Sequence, residues 1–143
     1  MKHRLLSISI LAALCLLSVS CNKEKDYASL LVGIWNYDNS EFRVEYTPEY
    51  NSNLVGSISH SYQLREDRTY SYIDEDDYTE EGTWSVSGKE LTFTKNGPGV
   101  QDSYVASIYS LDNKVLVMTF TDYFTEGGIT YKEVLYYTYK RLE

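Results

Sequence analysis

Apolar and polar residues alternate with a period of two along most of the chain beyond residue 27. In ISHSYQL, Ile58, His60, Tyr62 and Leu64 share one face while Ser59, Ser61 and Gln63 take the other. That period marks a half-buried strand. RTYSYI sets Tyr70 beside Tyr72, and GTWSVSGKELTFT reads as a hairpin. In it Trp84 and Val86 face one way, SGK turns, and Leu91 and Phe93 return to the same side. SYVASIYSL and KVLVMTFT flank the turn DNK, with Leu116, Met118 and Phe120 on one face. YKEVLYYTYKRL is the final strand, and LVGIWNYD and EFRVEY add two near the start. The pattern predicts about eight strands. Only YASLLVGIW hints at a helical turn, placed at the entrance to the domain. Turn signals (RED, DEDD, SGK, NGPG, DNK, TEGG) recur at short spacing, as in an all-β meander. Closing such a meander into an antiparallel up-and-down barrel removes its exposed edges.

Composition supports strands. Fifteen tyrosines, two tryptophans and four phenylalanines suit a pleated, half-buried surface, and two prolines in 143 residues argue against disorder. The length fits one domain. Residues 21–143 hold eleven basic against 21 acidic side chains, a formal charge of −10. That charge disfavours nucleic acid and anionic headgroups as partners.

The N-terminus departs from this pattern. Lys2 and Arg4 precede a 13-residue apolar run, Leu5 to Leu17, then small residues and Cys21, after which the chain turns charged at NKEKD. A bilayer-spanning helix needs about 20 apolar residues, so the layout is that of a signal peptide. Leu17, Ser18, Ser20 and Cys21 resemble the lipobox of bacterial lipoproteins. The resemblance implies cleavage before Cys21, lipidation of its thiol, and export to the cell envelope. Asn22 in place of an Asp favours the outer membrane. Two or three acyl chains would anchor the protein durably where a single chain would not. Cys15 would leave with the signal, so no disulfide is expected in the mature chain. The domain plan is a signal peptide at 1–20, a lipidated tether at 21–27 and a barrel at 28–143.

Gly33 and Trp35 form a Gly-x-Trp at the start of the first strand. With REDRTYSY and EEGTWSVSGKELTFT they resemble the bacterial lipocalin-like lipoproteins. The resemblance implies a small barrel whose interior is available to a ligand, with Trp35 closing one end. Interior positions are then Gly33, Trp35, Tyr62, Trp84, Phe93, Met118 and Phe120, and both indoles should be buried.

The remaining motifs carry little chemistry. His60, the one histidine beyond the signal, is expected as a wall residue making a polar interior contact, because no nucleophile elbow accompanies it. DEDDYTEE, Asp74 to Glu81, holds six carboxylates in eight residues. An EF-hand loop would need Gly and Glu where Thr79 and Ser85 stand, so the segment reads as a solvated hairpin tip and no metal site is expected. No cofactor is implied, the chain is expected to be a monomer, and no enzymatic activity is expected. Two functions remain: binding of a small apolar or amphipathic molecule inside the barrel, or a filled barrel that contacts another envelope protein. An eight-stranded barrel is wide enough for either.

Overall fold

A computed structural model describes residues 25–45, 52–54, 59–97 and 102–143. The expected signal peptide, Cys15, Cys21 and Ile58 lie outside the described residues. A short helix, α1 (Tyr27–Leu31), precedes β1 (Gly33–Val44), β2 (Ser52–Leu54), β3 (His60–Leu64) and β4 (Thr69–Asp74). β5 (Thr79–Ser87), β6 (Glu90–Lys95), β7 (Ser103–Leu111), β8 (Val115–Glu126) and β9 (Ile129–Arg141) follow. From β3 to β9 each strand pairs antiparallel with the next in the chain. β1 pairs with β3 through Gly33–Asn36 and with β9 from Trp35 to Val44. Eight strands therefore close into an up-and-down barrel. β2 is an addition, paired with Ser40–Phe42 of β1.

LVGIWNYD and EFRVEY, expected as two strands, are one. A bulge between Tyr37 and Asn39 lets the chain run on while reversing its parity. Trp35 and Tyr37 face inward before the bulge, and Ser40 and Val44 are buried after it. An extra residue bends a strand and re-aims its side chains, which is why strict alternation breaks there. A second bulge, between Ile108 and Ser110, resets β7 so that Ile108 and Leu111 are both buried. At the far end of the long β8–β9 hairpin, Gly127 and Gly128 take φ of +59° and +81°. Two positive angles in succession make the tight turn that matches strand twist.

One end of the barrel is shut. α1 starts at Asp26, whose side chain accepts from the Ser29 amide, and its Leu31 is fully buried. The Trp35 indole N–H donates to the Leu31 carbonyl at 2.7 Å. Arg141, at the end of β9, lies 4.3 Å from the Trp35 ring and donates to the carbonyls of Val32 and Leu30. Gly33 leaves room for that guanidinium, which occupies the place where a Cβ would stand. Trp84 repeats the arrangement: its N–H donates to the Arg65 carbonyl at 3.2 Å, and the Arg68 guanidinium lies 4.4 Å from its ring. Leu64, Leu91, Ile108, Leu116 and Met118 are buried in one core cluster with the two indoles.

Truncating Trp35 would open a cavity at the closed end, strip Arg141 of the ring beneath it and remove the indole donor to the Leu31 carbonyl. Trp35→Ala should lower stability by about 3–5 kcal/mol, read from the midpoint of urea unfolding. A loss under about 1 kcal/mol, the size of an ordinary surface effect, would show that the ring does not plug the barrel.

Candidate functional site

Above the packed half the interior opens into a cavity of about 420 Å³. Its walls come from six strands. β3 contributes His60 and Tyr62, and β4 contributes Tyr72. Glu80 and Tyr104 come from β5 and β7, Phe120 from β8, and Leu135, Tyr137 and Tyr139 from β9. Tyr78, in the β4–β5 turn, stands at the rim.

Period-two geometry explains the lining. Tyr62 pairs with Tyr72 across β3 and β4, Tyr72 with Glu80 across β4 and β5, and Phe93 with Tyr104 across β6 and β7. Directly paired residues share a face, so one inward ring recruits the next around the wall. The rings meet edge to face or stacked: Tyr62 to Tyr72 at 5.1 Å, His60 to Tyr37 at 5.0 Å, Phe93 to Tyr104 at 5.0 Å. Such pairs add about 0.5–1.5 kcal/mol beyond area burial.

Polar atoms are tied to one another. His60 Nε2 lies 2.8 Å from the Tyr139 hydroxyl, and the Tyr62 and Tyr104 hydroxyls are 3.2 Å apart. Glu80 Oε1 accepts from Tyr70 at 2.5 Å and from Tyr104 at 3.5 Å, while Lys95 Nζ lies 3.1 Å from Oε2. Lys95 also donates to the Tyr78 hydroxyl at 2.6 Å. Burial holds the phenols of Tyr62, Tyr104 and Tyr139 well above the ordinary tyrosine range. Burial also raises Tyr70, and its hydrogen bond to the Glu80 carboxylate raises it further. Tyr72 and Tyr137 move the same way, again mainly through burial. Desolvation opposes the charged phenolate.

Of the residues singled out in the sequence, Trp35, Trp84, Phe93 and Met118 lie in the packed half. Tyr62 bridges that core and the cavity, and Phe120 and His60 line the cavity wall. Gly33 sits beside Arg141 at the closed end. Asp74 to Asp77 form the hairpin tip, with Asp74 Oδ1 accepting from the amides of Asp76 and Tyr78. Glu80 corrects the reading of that acidic run as wholly solvated: its side chain is 14% exposed and faces the cavity. The signal was present, because stepping back by twos from inward Trp84 passes Gly82 and reaches Glu80. The same step through YKEVLYYTYKRL puts Leu135, Tyr137, Tyr139 and Arg141 on one face, and none of the four had been singled out. Among the described residues no three His, Cys, Asp or Glu side chains gather as a metal site would require. No helix among them is long and apolar enough to cross a membrane.

Compared with protein-family models and with curated proteins, the chain matches none. Its class is therefore given by its architecture: a closed eight-stranded antiparallel barrel, packed solid at one end and open to an aromatic cavity at the other.

The raised tyrosines set a pH dependence. An unfolded tyrosine titrates near about 10, whereas the buried phenols keep their protons to higher pH. Above that value the unfolded state binds fewer protons than the folded one, so stability falls as pH rises and is intact below it. Denaturation at a series of alkaline pH values should show this fall, and phenolate absorbance should show the buried wall tyrosines ionising only as the fold is lost. Stability unchanged well above that pH, with every tyrosine ionising in a folded protein, would contradict the burial of the wall.

Proposed function

We propose that this chain is an exported, lipid-anchored, lipocalin-like binding protein that holds one small amphipathic molecule in the mouth of its barrel. The observation that carries the reading is the division of the interior. Side chains fill one half, while the other keeps about 420 Å³, a volume in the range of small-molecule sites. Apolar ring faces with a few fixed hydroxyls suit a ligand that has both kinds of surface. Binding is proposed rather than turnover. His60 and Glu80 are tied to tyrosine hydroxyls and Lys95, pairings that orient a wall and leave no nucleophile activated.

The tether fits this plan. Lys25 donates to the Leu111 carbonyl at the closed end, four residues beyond Cys21. A lipid on Cys21 would hold the closed end toward the bilayer and turn the mouth away from it. A protein partner is the second reading, favoured by exposed Val105, Tyr109, Tyr123 and Ile129 along the β7–β9 side.

A neutral apolar fluorophore, N-phenylnaphthylamine, should bind the purified protein saturably at one site per chain. Leu135→Trp, which fills the mouth, should weaken it at least tenfold. No saturable binding, or binding unchanged in Leu135→Trp, would exclude the cavity as the site. The anchor is tested by metabolic labelling with a palmitate analogue, which Cys21→Ala should abolish. Undiminished labelling of that variant would remove the lipoprotein reading.

A further inference from the structure

We infer that the mouth cavity selects an organic cation, a small ammonium compound carrying an aromatic or apolar group; this rests on the reading of the cavity as a ligand site. Glu80 is the charged side chain on the cavity lining, and it is surrounded by rings. Tyr62, Tyr72, Tyr78, Tyr104 and Tyr137 line the same space. Ring faces carry negative quadrupole potential and attract a cation within about 6 Å, and a carboxylate among them supplies the formal counter-charge. The hydroxyls of Tyr70 and Tyr104 donate to Glu80 Oε1, fixing the carboxylate in place before any ligand arrives.

The protein already puts a cation in this position. Lys95 Nζ, on the inward register of β6, lies 3.1 Å from Glu80 Oε2 and 5.3 Å from the Tyr78 ring centroid. Its side chain is 37% exposed against 14% for Glu80, so the lysine can withdraw to solvent and a ligand ammonium can share or take its place beside the carboxylate. The field at the mouth has the matching sign. Asp74, Glu75, Asp76 and Asp77 occupy the β4–β5 turn, and Glu126 and Glu133 lie on the β8–β9 hairpin at the same end. Lys95 and Lys132 stand among them, the latter paired with Glu45, so acidic side chains outnumber basic ones at this end, and such an excess at a cleft concentrates the opposite ion and speeds its arrival. An anionic ligand would meet this rim and then Glu80. A neutral one would gain from the rings alone.

The test compares three ligands of one shape: benzyltrimethylammonium, its uncharged carbon isostere neopentylbenzene, and phenylmethanesulfonate. Each competes against N-phenylnaphthylamine on the purified protein, and the cation is also titrated directly by calorimetry. The cation should bind at least tenfold tighter than the isostere and the anion weakest, with the cation's advantage shrinking as salt is added. Glu80→Gln, checked for folding by circular dichroism, should remove that advantage while the neutral probe still binds. Lys95→Met should bind the cation at least as tightly as wild type. Equal affinity for cation and isostere, a preference for the anion, or weaker cation binding in Lys95→Met would overturn the inference while leaving the cavity a ligand site. Absence of both probe binding and calorimetric cation binding would overturn the two together.

Discussion

Arg141 lies over the Trp35 ring and donates to the carbonyls of Leu30 in α1 and Val32 just after it. One side chain from the last strand thereby holds the first strand, the cap helix and the largest core ring. The β1–β9 pairing runs beside it from Trp35 to Val44, so the seam is both hydrogen-bonded and plugged. A sheet closed in this way has an inside and an outside for every strand. Once the seam fixes which parity faces inward, Trp84, Leu91, Ile108, Met118 and Tyr139 follow by steps of two or across a bulge.

The same closure accounts for the asymmetry of the interior. α1 adds Leu31 to the closed end, where two indoles join the packed core and an arginine lies over each ring, Arg68 from the exposed side. At the mouth, inward positions carry tyrosines whose rings lean on one another along the wall. Tyrosine suits such a place: it has few rotatable bonds to freeze, a broad apolar face and a hydroxyl that reaches a partner when buried. The packed core lies in the closed half, and the cavity is lined mainly by strand residues rather than loops. Glu80 extends the inward register by one step past Trp84 and Gly82. Its charge then becomes part of the cavity rather than of the solvated tip beside it.

Much of this was legible in the chain. Alternation located β3 through β6 and the β8–β9 hairpin, and the turn residues located their joints. Gly33 and Trp35 pointed to a closed end before any pairing was known. What escaped had definite causes. The bulge near Asp38 reverses parity, so one strand of twelve residues read as two. Glu80 escaped because an acidic run reads as solvent-facing when counted as a block, although its register is that of Trp84. Arg141 and its partner Trp35 are joined across almost the whole domain, a contact that periodicity along the chain cannot express. The cavity itself depends on how rings of similar size lean against each other, and composition shows only that the rings are many.

In the proposed function the closed half is packed while the mouth half takes a ligand. Backbone amide and aromatic NMR shifts of the protein, followed as N-phenylnaphthylamine is added, test it most directly. The expected result is movement at His60, Tyr72, Phe120 and Leu135, with Leu91, Leu116 and Met118 unmoved. Movement centred on those closed-end residues, or on the outer wall at Tyr109 and Tyr136, would contradict it.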